Sequence, residues 1–431
     1  MRTLLVILAI LTSLAVFYGV YRVINKDSKG SVYWVNFKPE SKTFLEELAS
    51  TYEEQTGVKV KIYTPASSKY NEELGKEMES SSPPTLFVAV NQETVNKYSD
   101  YFYDLSNTKV AGELNTNEFN LYTPSGTLAA IGYCYETFGI IVNLELLEKA
   151  KHSITEIQDF NSLKTVAEDI HKNAEQLGFD AFTSSGLDDS SSWRFTGHLA
   201  NVPLFYESRD AGFWKETPKE IKGSYLSNFK NIWDLYINNA AADPSKLSNG
   251  NYNAEKEFGE KNAVFYQNGN WEYENLVNTY SLDDKNLKMI PIYCGVAGEG
   301  NAGLNSGTEN YWAVNAKADK KDIEATLDFM YWLVTNKEAV ETLAETFGSI
   351  PYKKAVSPSN VFLAQANDYI SKGKYNMQWV FSLEPNHSVW RAGVANALAT
   401  YSASPNDSNW ALVEKAFIDG WKEQYKAVNG N

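Results

Sequence analysis

Short apolar runs alternate with amphipathic segments along the chain after residue 30. Ser31–Phe37 predicts a strand, and Thr43–Gln55 predicts a helix with Phe44, Leu48 and Tyr52 on one face. Further strands and helices are predicted at Val58–Tyr63, Tyr70–Met78 and Leu86–Val90. Such βαβ units predict an α/β fold with a parallel sheet covered by helices on both faces. Ligands on open sheets of this kind lie beyond the carboxyl ends of the strands.

The second part of the chain is mostly helical, with isolated extended runs. Ile131–Asn143 is a long extended run, and short strands are predicted at Ala263–Tyr266 and Leu287–Ile292. The glycine-rich stretch Gly295–Gly307 lacks the spacing and the lysine of a phosphate loop, so it predicts a flexible connection. Asn310–Asn315 predicts a further strand, and amphipathic helices continue to the C-terminus. We find no internal repeat.

The first thirty residues have a different pattern, because the run Leu4–Val20 is apolar all round. Arg2 precedes this run and Arg22 follows it, and no cysteine that could carry a lipid lies nearby. The run approaches the length of a bilayer span, and no small-x-small cleavage site closes it. We therefore predict an uncleaved N-terminal signal anchor and linker over residues 1–30. A cleaved signal peptide is the alternative.

The net charge narrows the choice of partners. The chain has 431 residues, of which 22% are charged, and a formal net charge of −15. An acidic surface repels phosphate backbones, so nucleic acid is excluded as an expected partner. A neutral or cationic ligand stays open, because the local charge of a cleft need not follow the total.

Cysteine and histidine offer no metal site in the sequence. Cys134 and Cys294 are the only cysteines, and they lie in apolar runs, which predicts buried free thiols; a single bridge is the alternative. The four histidines are scattered without metal-ligand spacing. We expect neither a metal nor a cofactor.

Five segments occur in an order and spacing typical of one protein family. They are Thr56–Val60, Tyr133–Asn143, Ala263–Trp271, Tyr311–Asn315 and Gly348–Pro351. Together they resemble the family 1 extracellular solute-binding proteins, the maltose-binding type that serves ABC sugar importers. The resemblance extends from about residue 31 to the end of the chain.

This resemblance implies two α/β lobes joined by hinge crossings, with a ligand at their interface. We expect residues 32–142 with 306–350 in the N-terminal lobe, and 143–305 with 351–431 in the C-terminal lobe. The expected protein is a monomer on the extracellular face of the cytoplasmic membrane that delivers an oligosaccharide to an ABC permease. Because the lipid-bearing cysteine common in such proteins is absent, the mode of attachment stays open.

The resemblance also implies site residues. Glu136 corresponds to an acid that hydrogen-bonds sugar hydroxyls, and Trp271 to an aromatic ring that stacks on a sugar. Trp390 resembles a tryptophan of the C-terminal lobe that also stacks on a sugar ring. Glu40 and Asn91 fall in strand-to-helix loops that face the cleft.

The chemistry of the residues themselves agrees with a sugar site. Sugars present flat apolar faces and rims of hydroxyls, so their sites combine aromatic rings with planar polar groups. Trp193 lies in a polar loop at a helix start, and Trp312 and Trp379 are further candidates. Most aromatic residues at helical spacing, among them Trp332 and Trp421, are expected in the core. Glu136 needs either a ligand or a neighbouring cation, because a buried charge is costly without a partner.

A secreted glycoside hydrolase is the rival interpretation, since carboxylates and aromatic rings also line hydrolase sites. The pair Asp188-Asp189 lies in a serine-rich loop, where adjacent acids are usually solvated. No nucleophile elbow or cofactor fingerprint is present in the sequence, so we expect a binding protein and not an enzyme. A surface receptor for sugars without a transport role is a third interpretation.

Overall fold

Two mixed β-sheets organise the residues that the computed structural model describes, which are 29–66, 69–117, 119–214, 216–348 and 351–430. The strands in these ranges are β1 (Ser31–Val35), β2 (Lys59–Tyr63), β3 (Leu86–Ala89), β4 (Asn120–Tyr122), β5 (Leu128–Gly132), β6 (Glu136–Asn143), β7 (Asp180–Phe182), β8 (Ala263–Gly269), β9 (Leu287–Ile290), β10 (Ala302–Gly307), β11 (Tyr311–Val314) and β12 (Tyr375–Gln378). Sheet I has the order β2-β1-β3-β11-β5-β4. Sheet II has the order β12-β10-β6-β8-β7, and β9 also pairs with β6.

Helices cover both sheets. Their bounds are α1 (Lys42–Thr56), α2 (Tyr70–Met78), α3 (Gln92–Lys97), α4 (Lys109–Gly112), α5 (Leu144–Lys149), α6 (Phe160–Lys172), α7 (Ala174–Leu177), α8 (Ala200–Ala211), α9 (Leu226–Asn238), α10 (Ala254–Gly259), α11 (Lys320–Leu333), α12 (Lys337–Phe347), α13 (Val361–Ser371), α14 (His387–Ala403) and α15 (Asp407–Asn429). The anchor predicted at Leu4–Val20 lies outside the described residues. Within those residues, no helix is long and apolar enough to cross a membrane.

Sheet I begins with the predicted βαβ arrangement. Leu45, Leu48 and Tyr52 are the buried side of α1, which ends at Gly57 in the left-handed conformation, with φ of 73°. Phe44 is 43% exposed, so its predicted place on the inner face is wrong, because Leu45 occupies it. β1 is parallel to β2 and β3, but β11 runs antiparallel to β3 and β5. The sheet is therefore mixed and not parallel, because β11 arrives directly from sheet II without a crossover helix.

The chain passes between the sheets within the predicted run Ile131–Asn143. β5 ends in sheet I at Gly132 and β6 begins in sheet II at Glu136, so all of β6 pairs in sheet II. A second crossing lies at residues 308–310, between β10 and β11. The two crossings touch, because the amide of Tyr133 donates to the carbonyl of Asn310 at 3.1 Å.

The glycine-rich stretch is ordered, which corrects the predicted flexible connection. Its second half forms β10, whose residues are all buried in sheet II. A Cβ on Gly303 would lie 3.0 Å from the carbonyl of Tyr375 on β12, and one on Gly307 would lie 2.6 Å from the ring of Trp379. The glycines are thus required by close packing. Cys134 and Cys294 are both buried and free, as predicted.

Each sheet has its own hydrophobic core. In sheet I, Trp34, Tyr133 and Trp312 are almost fully buried, and the rings of Tyr133 and Trp312 stack at 4.5 Å. We call these three residues the core aromatic group. The core of sheet II is larger and includes the helices of the C-terminal region. The residues between the two cores are more polar.

Candidate ligand-binding site

An aromatic cluster lies at the end of sheet II that faces the crossings, assembled from distant segments of the chain. Its members are Phe138, Trp193, His198, Trp271, Trp379 and Phe381. The rings of His198 and Phe138 stack at 4.2 Å. The ring of His198 also lies 5.0 Å from Trp193, 5.3 Å from Trp271 and 6.1 Å from Trp379. The cluster is therefore one continuous aromatic surface centred on His198.

Trp271 is held rigidly at the carboxyl end of β8. The strand ends at Gly269, and Asn270–Glu272 forms a short 3-10 helix, so Trp271 lies at a helix start as predicted. Its indole nitrogen donates to Oδ1 of Asn268 at 2.8 Å. Its ring covers Gly269, where a Cβ would approach the ring to 2.2 Å. The ring stays half-buried, so part of its surface is accessible to a ligand.

Trp193 and Trp379 border this ring from other segments. The indole nitrogen of Trp193 donates to the carbonyl of Ser190 at 2.8 Å, directly before a π-helical turn at Arg194–Leu199. Turns of this type are frequent at functional sites. Trp193 is half-buried, whereas Trp379 is 9% exposed and packs on the glycine that ends β10. Trp193 and Trp271 are thus the accessible rings of the cluster.

A charged group borders the cluster on the side of sheet I. The ammonium of Lys38, which follows β1, is bonded to Oε1 of Glu136 on β6 and lies 3.5 Å from Glu40. Nδ2 of Asn310, in the second crossing, donates to Oε2 of Glu136 at 3.2 Å. Burial alone would lower the pKa of Lys38, but the charges of Glu136 and Glu40 outweigh it and hold the pKa above its ordinary value.

Lys38 also connects the charged group to the aromatic cluster. Its ammonium lies 5.7 Å from the centre of the Trp271 ring, within the range of a cation–π contact. Residues that follow β1 in sheet I and residues of β6 and β8 in sheet II therefore meet at one place. The side chain of Glu40 remains 51% exposed there.

A second buried ion pair supports the cluster from α14. Nε of Arg391 lies 2.5 Å from Oε2 of Glu384, whose side chain is fully buried. Burial raises the pKa of Glu384 to about 8, although Arg391 acts in the opposite direction. The guanidinium lies 5.4 Å from the ring of Phe381. The charges of Arg391 and Lys38 also reach Glu309 in the second crossing, where they oppose the rise in its pKa on burial.

His198 is neutral in this setting. Burial lowers its pKa well below the ordinary value, and the charges of Arg391, Lys38 and Arg194 lower it further. No hydrogen-bond partner for its buried Nδ1 is found in the described part of the chain. An imidazole without charge can stack on Phe138 as an apolar ring and still offer one polar atom. No cluster of potential metal ligands occurs among the residues described.

Five of the eight predicted site residues come together here, namely Glu40, Glu136, Trp193, Trp271 and Trp379. Two others, Trp312 and Trp390, lie in the hydrophobic cores. Asn91 follows β3, which pairs in parallel with β1, and its Oδ1 accepts from the amide of Thr94 at 3.0 Å, so it caps α3; its contact with a ligand stays a prediction. Trp312 is fully buried in the core aromatic group. Trp390 is fully buried beside Phe417 and Trp421, because α14 packs against α15.

Other members of the site were not anticipated from the sequence. Lys38, His198, Arg391 and Glu384 come from segments that no local motif connects. One feature of the sequence could have indicated Lys38 as a site residue: it is two residues from Glu40, in the loop after a predicted strand. His198 and Arg391 gave no signal, since their neighbours come from other elements of the fold.

Comparison with known proteins identifies the family. The sequence profile of the bacterial extracellular solute-binding proteins matches residues 47–369, about three quarters of the chain. The chain belongs to this family. A search of curated protein sequences finds no match.

Solved structures of extracellular solute-binding proteins share the fold. A family 1 protein from Bifidobacterium longum subsp. infantis is 16% identical, with a TM-score of 0.63 over 91% of this chain and 100% of its own. RafE in complex with raffinose is 16% identical, with a TM-score of 0.72 over 92% and 99%. GacH of Streptomyces glaucescens, solved unliganded and with acarbose, is 18% identical, with a TM-score of 0.68 over 92% and 98%. At this identity the likeness establishes the two-sheet, periplasmic-binding-like α/β fold of the solute-binding protein.

Proposed function

We propose that this solute-binding protein captures a carbohydrate and delivers it to an ABC importer. The observation that carries the proposal is the meeting of two accessible tryptophans, Trp193 and Trp271, with the exposed carboxylate of Glu40. Aromatic rings cover the apolar faces of a sugar, and carboxylates accept hydrogen bonds from its hydroxyls. The sugars named in the structures of RafE and GacH support the same ligand class.

Binding is proposed to close two lobes about a hinge. Strand pairing supports one lobe built on sheet I, from β1 to β5 and from β11 to Tyr352, and a second lobe built on sheet II. The crossings near Tyr133 and Asn310 act as the hinge. A sugar that contacts Glu40 on one lobe and Trp271 on the other favours the closed form by its difference in affinity for the two states.

We further propose that the protein works outside the cell as a monomer. The segment Leu4–Val20 attaches it to the membrane. N-terminal sequencing of the membrane-bound protein should find a start at or near Met1. A start near residue 25–30, with the protein free in the medium, would instead establish a cleaved signal peptide.

We also propose that the protein binds its ligand without altering it chemically. A sugar hydrolase needs two carboxyls that flank the scissile bond. Two buried acids beside the aromatic cluster are each bonded to a cation, because Glu136 is bonded to Lys38 and Glu384 to Arg391. Incubation with a bound oligosaccharide, followed by chromatography, should recover the ligand unchanged, and shorter products that depend on the protein would contradict this.

Calorimetric titration of the full chain with a panel of neutral oligosaccharides tests the function. We expect saturable binding of at least one sugar that is lost in Trp271→Ala. Trp332 is a matched control, because it is also half-buried but lies on α11, where its indole nitrogen donates to Gln55 at 3.0 Å. Trp332→Ala should bind the same sugar normally. Absence of binding across neutral mono- to hexasaccharides would reject a carbohydrate ligand.

A further inference from the structure

The loop after β1 holds Lys38 in one position. The carbonyl of Lys38 accepts hydrogen bonds from Nδ2 of Asn36 and from the hydroxyl of Ser41, each at 2.8 Å. Asn36 and Ser41 are fully buried. The side chain of Lys38 therefore starts from a fixed backbone and points into the interface between the sheets, where 11% of it is exposed.

The surroundings of the Lys38 ammonium are those of a binding site for a cation. Glu136 and Glu40 supply carboxylates, and Trp271 supplies an aromatic ring whose centre is 5.7 Å away. Carboxylates and aromatic faces are the groups that bind ammonium ions in proteins. Here the chain fills that site with its own side chain.

The position of Lys38 affects which charge a ligand can carry at this place. Glu136 already shares its two oxygens between Lys38 and Asn310. A ligand ammonium that approached Trp271 would meet the positive charge of Lys38 before it reached the carboxylate of Glu136, and like charges at contact distance repel strongly. A neutral, hydroxyl-rich ligand meets no such repulsion.

We propose that Lys38 sets the charge selectivity of the cleft: it occupies the cation position between Glu136, Glu40 and Trp271, and so excludes amino sugars in favour of neutral sugars. The selectivity for sugars rests on the proposed function. The presence of a cation position does not, so the two can be tested separately.

Chemical rescue tests the cation position without any sugar. In Lys38→Ala of the full chain, n-propylammonium replaces the atoms that the substitution removes, and n-propanol is its neutral counterpart. We expect n-propylammonium to raise the melting temperature of Lys38→Ala saturably, by about 2–4 °C, at constant ionic strength. The same concentration of n-propanol should have no such effect.

Two variants serve as controls for the rescue. Lys38→Met fills the same space without a charge, so n-propylammonium should not stabilise it. Lys42→Ala removes a lysine whose side chain is 57% exposed and lies 3.9 Å from Glu46, which is a long distance for an ion pair. This variant should behave as the wild type. Equal stabilisation of all variants, or of Lys38→Ala by both compounds, would overturn the cation position.

A matched pair of trisaccharides tests the selectivity. Glucosamine and N-acetylglucosamine trimers share their ring and linkages but differ in charge. Relative to the wild type, Lys38→Ala should shift its preference at least about tenfold toward the glucosamine trimer. If the variant binds the two trimers equally, or binds neither, the proposed role of Lys38 in selectivity is wrong. A successful rescue with no neutral sugar bound by the wild type would reject the proposed function but retain the cation position.

Discussion

The core aromatic group of sheet I and the aromatic cluster of sheet II are built from similar residues but have different surroundings. Trp34, Tyr133 and Trp312 are almost completely buried and pack against one another in T-shaped and stacked contacts. Trp193 and Trp271 are half-buried, and Trp271 lies 5.7 Å from the ammonium of Lys38. The content of tryptophan therefore does not define a binding surface. What defines it is the partial exposure of the rings at the end of sheet II that faces groups from the other sheet.

Trp312→Ala should have the largest effect on stability. Loss of a buried tryptophan costs about 3–5 kcal/mol, because a cavity replaces close contacts with Trp34 and Tyr133. Chemical denaturation measures this cost. Trp312→Phe should cost less, since it keeps an aromatic ring and removes an indole nitrogen that has no partner among the described residues. A cost below about 1 kcal/mol for the alanine variant would contradict the role of this group as core.

Arg391→Met should destabilise the fold by about 3–5 kcal/mol at pH 9, where Glu384 is ionised, because its buried carboxylate loses its partner. The double variant with Glu384→Met should recover most of this loss.

The cost of Arg391→Met should depend on pH. The folded pKa of Glu384, about 8 even with Arg391 present, is above its unfolded value. Loss of Arg391 raises this folded pKa further, so wild type and variant lose stability alike up to about pH 8, and above that pH only the variant continues to lose stability. Denaturation at pH 5 and pH 9 should show the larger cost at pH 9, and equal costs would argue against a buried, unpaired carboxylate.

Trp271→Ala should reduce sugar affinity by about 1–3 kcal/mol, or about ten- to hundredfold, by analogy with the stacking of bases on aromatic rings. Its loss of stability should be smaller than that of Trp312→Ala, because Trp271 is only half-buried. Calorimetry and denaturation on the same samples separate the two effects. Normal affinity with a large loss of stability would assign Trp271 to the core.

The effect of Glu272→Gln should appear as a change in the pH dependence of stability. Burial, with a contribution from Glu255, raises the pKa of Glu272 to about 7, so the wild type loses stability as pH rises from about 4.5 to 7. Glutamine does not titrate. Between pH 5 and pH 8 the variant should gain about 2–3 kcal/mol relative to the wild type, which denaturation curves at both values measure. A constant difference would show that Glu272 is not protonated in the fold.

Local patterns in the sequence predict the elements well. The predicted helix at Tyr70–Met78 has those bounds in the structure, and Trp271 starts a helical turn after a strand as expected. Strand direction was harder to predict, because β11 reaches sheet I from sheet II and not through a helix. The glycines of β10 appeared flexible, since the rings and carbonyls that require them come from β12 and the residues after it.

The candidate site was only partly predictable, for a related reason. The helical spacing of Trp421 predicts its place in the core, whereas only the packing of α14 on α15 determines that Trp390 is also core. Lys38 resembles any surface lysine until Glu136, almost a hundred residues later, is placed beside it. A contact between sheets depends on the fold as a whole, and no local pattern encodes it.

The contact between the two crossings has a mechanical consequence. Tyr133 and Asn310 join the crossings side by side through a backbone hydrogen bond, and the side chains of the same residues add a second bond at 3.3 Å. Two adjacent segments joined in this way can rotate together but resist sliding past each other. We expect this contact to limit the movement of the proposed lobes mainly to a rotation about the two crossings. Trp271 and Glu40 would then come to the same distance from each other at every closure. The backbone of the crossings, and not the ligand, would set this distance.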